Sequence, residues 1–256
     1  VNEVVGSNWH TPCSARSTSP ATRGAARPWS SGTLRRESNV SGEVTLLDGG
    51  DGAIARLVHT AERLFRQPEF APAALVGGLA VMIRVGTARR ATVDVDTVTG
   101  GEAPGALLLD YVGHGATVNG LVVDGVVVDV LPTEELPTEA SDLPDEDDQR
   151  LFLLGHRWAL ESAEGVTVRA VEPSSDGSAE VGRLIVATTP ALVACKFHAL
   201  ADRRGTGLVK CESDASDLVQ LIGHLVRGDG AVGFAGAPFD LVDLVRAQTE
   251  RWFLGD

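Results

Sequence analysis

The run Ala73 to Val76 is short and wholly apolar, stops at the glycine pair Gly77-Gly78, and gives way to Leu79-Ala80-Val81-Met82-Ile83, which continues as a helix. Strand, glycine turn and helix in that order predict an α/β arrangement, because an apolar strand needs cover and the helix that follows it supplies some. Glycines at such a corner let backbone N–H groups and the helix N-terminus come close to a phosphate. An ordinary tight turn uses the same residues. The corner is neither a P-loop, since no Gly-Lys-Ser/Thr follows, nor a GxGxxG dinucleotide fingerprint.

The segment Thr92 to Val98 alternates, with Val93 and Val95 on one side and Asp94 and Asp96 on the other, before Gly100-Gly101 ends it. Side chains at i and i+2 of a strand share a face, so the two carboxylates emerge together. Like charges this close repel, and a divalent cation such as Mg²⁺ or Mn²⁺ makes the pair favourable. A solvent-facing edge strand with incidental acids is the other explanation. Asp129 lies within Val126 to Leu131, where a charge among apolar residues is costly to bury without a partner, and a third metal ligand is a natural reason for it. Asp124-Gly125 and Asn119-Gly120 have turn chemistry.

An apolar period over Ile54, Leu57, Val58, Leu64 and Phe65 predicts a helix ended by Pro68. Val166 to Ala170 and Leu184 to Ala187 are β-like. Thr189-Pro190 has the form of an N-cap and first helical residue, and helices are expected over 191–204, 213–227 and 239–253. The eight acidic residues between Glu134 and Asp148, interleaved with prolines, predict an exposed loop.

Residues 1–41 are rich in Ser, Arg, Thr, Ala and Pro without a hydrophobic period, and are expected to be a disordered extension. The core is then 42–188 and a helical region 189–256. The net charge is −13, and residues 1–39 carry +3 of their own, so the remainder is near −16. That charge opposes sequence-blind nucleic-acid binding, which rests on neutralising phosphates. No segment has the length of apolar chain that a membrane span needs, and the cytoplasm is the expected location. Cys13, Cys195 and Cys211 show no CxxC spacing and fit a reducing compartment, with Cys195 and Cys211 as packed helix residues.

Several motifs in order resemble the AbiEii-type nucleotidyltransferases, of the DNA polymerase β-like superfamily. They are Val76-Gly77-Gly78-Leu79-Ala80; Arg90-Ala91-Thr92-Val93-Asp94-Val95-Asp96; Ala187-Thr188-Thr189-Pro190 with Ala194-Cys195-Lys196-Phe197-His198-Ala199-Leu200; and Lys210 with Ser213-Asp214 and Asp217-Leu218. The turn here is Gly-Gly where the wider superfamily often has Gly-Ser, and Ser213 stands where a basic residue is expected.

The resemblance implies a mixed sheet of polymerase β-like nucleotidyltransferase type followed by helices, and transfer of a nucleoside monophosphate from a nucleoside triphosphate to a hydroxyl. It implies Asp94, Asp96 and Asp129 as ligands of Mg²⁺ or Mn²⁺, Asp94, Asp96, Lys196 and Asp214 as catalytic groups, and Gly77, Gly78, Arg90 and Lys196 as nucleotide contacts. Lys196 and Lys210 are the only two lysines among twenty arginines, and a compact ammonium suits a triphosphate. Asp217 takes an orienting role, and His156 and His198 are packing or surface residues. Family members are known as toxins of type IV toxin–antitoxin systems, which implies a cognate antitoxin as a partner, and some add nucleotides to the 3′ end of tRNA. The acceptor is a tRNA end, a protein hydroxyl or a small molecule. A catalytically weak nucleotide-binding or regulatory module of the same fold is the alternative.

Overall fold

The computed structural model describes residues 40–49, 52–88, 92–100, 116–117, 120–133, 143–171, 179–203, 208–227 and 233–254. They belong to one compact unit, and residues 1–39 of the expected extension and the expected turn residue Asn119 lie outside them. Among the described residues eight strands form one mixed sheet: β1 (Val40–Leu47), β2 (Ala73–Val76), β3 (Asp94–Thr99), β4 (Ala116–Thr117), β5 (Gly120–Val123), β6 (Val126–Pro132), β7 (Glu164–Val171) and β8 (Ala179–Val186). Their order is β1-β7-β8-β2-β3-β6-β5-β4. β1/β7, β8/β2 and β3/β6 are parallel, and the remaining pairs are antiparallel. The expected mixed α/β architecture is present.

Among the described residues six α-helices complete it: α1 (Ala53–Phe65), α2 (Gly77–Val85), α3 (Asp147–Glu161), α4 (Thr189–Asp202), α5 (Leu208–Arg227) and α6 (Phe239–Thr249). A π-helical turn, Glu250–Leu254, follows α6. α1 is amphipathic and lays Ile54, Leu57, Val58, Ala61 and Leu64 against β7 and β8. In α2, Leu79 through Ile83 are all buried, because it lies between β3 and the pair α4 and α5. Arg84 fastens α2 to the end of β8, donating from Nε to the Ala187 carbonyl at 2.8 Å and from Nη2 to the Val186 carbonyl at 2.7 Å. The start of α4 is thereby held beside α2.

The Asp124-Gly125 turn is as expected: φ is 51° and 79° at its two residues, and Val123 pairs with Val126 across it. Positive φ at both central residues is what a two-residue hairpin of the primed type requires. Three expectations need correction. Val40–Leu47 is a strand although no strand was expected there, since its pattern is completed only by pairing with β7. Asp147 and Asp148, read as part of the acidic loop, form the first turn of α3, where negative charge is favoured by the helix N-terminus. The α4 cap is Thr188 rather than Thr189, with Pro190 in the first turn and no side-chain capping bond. The Thr188 hydroxyl pairs with Ser162 Oγ at 3.0 Å instead.

Candidate active site

β3 begins at Asp94, two residues later than the alternation from Thr92 suggests, so Val93, expected on the side of Val95, lies outside the strand and is 77% exposed. Asp94 and Asp96 occupy the first and third positions of β3, while Val95 between them is fully buried. β6 runs parallel to β3 with Asp129 directly opposite Asp96. One carboxylate oxygen from each of Asp94, Asp96 and Asp129 lies within 4.8 Å of the others, and Asp129 is the most exposed of the three. The three residues expected to share a cation are thus brought together.

The glycine corner joins them through the sheet register. β2 is antiparallel to β3 and Val76 is paired with Asp96, so the turn that follows Val76 falls against the Asp96 side chain. Gly77 has φ of +66°, and a Cβ built there would sit 1.8 Å from Asp96 Oδ2, 2.4 Å from its Cγ and 2.7 Å from its Cβ. Only glycine fits, on grounds of both conformation and space. The Gly78 N–H donates to the Asp96 carboxylate. One of the two amides expected to cradle phosphate is therefore engaged with a carboxylate of the cluster.

The cluster is electrostatically loaded. The Asp96 carboxyl is pushed up to about 6, by burial first and then by the charges of Asp94 and Asp129, against the opposing pull of Lys196 and the Gly78 N–H. Asp129 is also raised, by burial and by Asp94, with Lys210 acting the other way. The Thr92 hydroxyl donates to Asp94 Oδ1 at 3.0 Å, and the Thr97 hydroxyl donates to the backbone carbonyl of Asp129 at 3.1 Å, tying β3 to β6 beside the acids. An all-oxygen donor set around one point suits a hard divalent cation such as Mg²⁺ or Mn²⁺, and the mutual repulsion supplies the reason for one to bind.

Lys196 lies on α4, 7% exposed, close enough to act on Asp96. Its Nζ donates to Asp214 Oδ1 at 2.7 Å and lies 2.8 Å from Asp217 Oδ2, both carboxylates coming from α5. The Arg203 guanidinium holds the other oxygen of Asp214. Lys196 and Asp214, expected to be catalytic, thus form a buried pair in which two of the three ammonium donors are occupied. Asp217, expected to orient, is an equal partner in it. Arg90 lies outside the described residues.

His156 and His198 pack with Phe152, ring centroids 4.5 and 4.8 Å from it, as expected of packing residues. Burial pushes the Cys195 thiol up to about 12, so it is a poor nucleophile, and Cys195 and Cys211 are both half-buried and unbridged. Thr92, Thr97 and Lys210 were not singled out as site residues. Lys210 carried a signal as one of only two lysines; the threonines carried none beyond proximity to Asp94 and Asp96. No helix among the described residues is long and apolar enough to cross a membrane.

No protein-family model and no curated relative matches the chain. It is similar to solved structures at low identity. One is an antigenic nucleotidyltransferase-like protein from Paracoccidioides brasiliensis, 16% identical with a TM-score of 0.42 over 79% of this chain and 90% of that one. The antibiotic-resistance factor ANT(2'')-Ia, in its solution structure, is 15% identical with a TM-score of 0.42 over 77% of this chain and 92% of that one. The same factor in complex with adenylyl-2''-tobramycin gives 15% and 0.42 over 77% and 98%.

Proposed function

We propose that this chain is a metal-dependent nucleotidyltransferase that moves a nucleoside monophosphate from a nucleoside triphosphate to a hydroxyl acceptor. The observation that carries the reading is the meeting of one oxygen each from Asp94, Asp96 and Asp129 within 4.8 Å, beside a glycine corner that opens a helix. Asp94, Asp96 and Asp129 would hold Mg²⁺ or Mn²⁺. When bound, such an ion neutralises phosphate charge and lowers the pKa of a coordinated hydroxyl.

The chain's own residues do the positioning. Gly78 steadies the Asp96 carboxylate through its N–H, and Thr92 steadies Asp94. The N-terminus of α2 adds its positive end to the same place. Lys196, fixed between Asp214 and Asp217, keeps a positive charge that acts on Asp96 and offsets charge gathering on the reacting phosphate. Asp214 serves that step by holding Lys196.

The resemblance to AbiEii-type enzymes adds a finer reading: a tRNA 3′ end or a protein hydroxyl as acceptor, a toxin role within a type IV toxin–antitoxin pair, a cognate antitoxin as partner and the cytoplasm as setting. The test is incubation of the chain and its Asp96→Ala variant with each labelled nucleoside triphosphate and Mg²⁺, offered tRNA, protein extract and small hydroxylated molecules in separate arms. Label transfer to one acceptor class that disappears in the variant is expected. Transfer that survives Asp96→Ala removes the site, and failure of every acceptor together with every nucleotide removes the activity.

A further inference from the structure

α5 buries carboxylates and exposes valines. Toward α4 it presents Asp214 and Asp217, both paired with Lys196, and it also buries Leu218 and Leu221 completely. Its three valines lie outside that contact: Val209, Val219 and Val226 are 80%, 57% and 78% exposed. At about 100° of turn per residue, Val209, Glu212, Ser216, Val219, Gly223 and Val226 fall within one stripe about 100° wide along the helix. One exposed valine needs no explanation, but an apolar stripe with small residues between the valines is the kind of face that a second helix covers.

The order of residues along the stripe selects the partner. Turning the helix end for end about a point between Asp217 and Leu218 brings Ser216 opposite Val219, Glu212 opposite Gly223, and Val209 opposite Val226. Each member of the stripe then faces another member of the same stripe, which is what a two-fold, isologous contact requires. The charges agree with that arrangement. Neither Glu212 nor Arg227 has an ion-pair partner among the described residues. The Arg227 guanidinium folds back over Gly223, with Nη2 3.7 Å from where a Cβ would stand. An acid set opposite Gly223 therefore meets both a gap in the side chains and a free cation beside it.

We propose that a second copy of this chain docks antiparallel on the outer face of α5, forming a symmetric dimer. Val219 lies against its own copy near the two-fold axis, and Glu212 pairs with the partner's Arg227 at both ends. The stripe is on the far side of α5 from Asp214 and Asp217, so the contact leaves the Lys196 pair untouched. The inference is independent of the nucleotidyltransferase reading. One helix from each copy makes a contact at the small end of specific interfaces, and the net charge of −13 on each copy opposes approach, so the dimer forms with an affinity in the micromolar range and needs physiological salt.

Sedimentation velocity on the full chain, from about 1 µM to about 300 µM in about 0.15 M salt, reads the mass directly. The parent is expected to pass from monomer to dimer across that range. Val219→Asp sets two carboxylates together at the axis and should hold the chain monomeric. Glu212→Arg and Arg227→Glu should each weaken the dimer at least tenfold by placing like charges together, and the double variant should return to near the parent affinity. All these positions are exposed, so the urea midpoints of the variants at about 1 µM should match that of the parent, which separates loss of docking from loss of folding. A parent that stays monomeric throughout overturns the proposal. So does a dimer indifferent to Val219→Asp, or one in which the double charge reversal fails to restore what each single reversal removes.

Discussion

Alanine at Gly77 and at Gly86 separates what the backbone requires from what the site requires. Both glycines have φ in the left-handed region, +66° and +74°, and they stand at opposite ends of α2. An alanine Cβ at Gly86 meets nothing within 4 Å, so only the conformational penalty applies, about 1–2 kcal/mol. At Gly77 the same penalty is joined by contact with Asp96. Rotation of the Asp96 side chain removes the overlaps at 1.8 and 2.4 Å, but the Cβ contact at 2.7 Å belongs to the strand and clears only if β3 or α2 shifts. Overpacking of that kind adds about 1–3 kcal/mol, so Gly77→Ala should cost about 2–5 kcal/mol in total. Asp96 in either event leaves the Gly78 N–H and the other two acids. Urea unfolding in the presence of a chelator, paired with Mn²⁺ titration, reads both effects: Gly86→Ala should lose a little stability and keep Mn²⁺ binding, while Gly77→Ala loses more and binds Mn²⁺ at least tenfold more weakly. Equal unfolding midpoints for the two variants, with Mn²⁺ affinity intact in Gly77→Ala, would refute the reasoning.

Lys196→Ala takes from the buried Asp214 and Asp217 the ammonium they share, leaves Asp214 its Arg203 contact, and should destabilise by about 3 kcal/mol, read as a lowered urea midpoint, whereas a cost under about 1 kcal/mol means the pair is not isolated from water. Two groups oppose one another between pH 4 and 6. Asp96, raised from an ordinary 3.8 to about 6, keeps in the folded state a proton that the unfolded chain releases, so its contribution falls by about 3 kcal/mol as pH rises. His156, lowered by burial from 6.5 to about 4, does the reverse and contributes about 3 kcal/mol more by pH 6.5. In metal-free buffer, stability of Asp96→Asn minus that of the parent should grow with pH across this window, and that of His156→Gln minus the parent should shrink; parallel curves in either comparison contradict the assignment of that group.

How much of this was legible in the residues depended on whether a pattern is local. α1 announced itself through a period of apolar residues, and the Asp124-Gly125 hairpin through turn chemistry that two residues suffice to specify. α3 was missed because its opening acids continue a run that reads as solvated loop, while the residues that bury it, Leu151, Leu154 and Trp158, lie beyond that run. β1 is an edge strand whose inward residues are only Val44 and Leu46, alternating with the exposed Glu43, Thr45 and Leu47; the adjacent Leu46-Leu47 blurs that short alternation, and its place is set by pairing with β7. The Thr188 hydroxyl at the α4 cap pairs with Ser162, 26 positions away, instead of capping the helix, and that partner is invisible to any local rule.

The same division runs through the site. Alternation put Asp94 and Asp96 on one face, and the isolation of Asp129 among valines marked it as unusual, but nothing in either segment says that β6 is parallel to β3 in the register that sets Asp129 opposite Asp96. Likewise the glycine corner meets Asp96, rather than solvent, because of the antiparallel pairing of Val76 with Asp96. Long-range register thus converts three separately tolerable acids into one point of repulsion. A chain arranged only for stability would be better served by asparagine at position 96, which would keep the Gly78 bond and lose the charge. The carboxylate makes physical sense there when a cation shares the site, and that is why the cluster, more than any single motif, points to chemistry on phosphates.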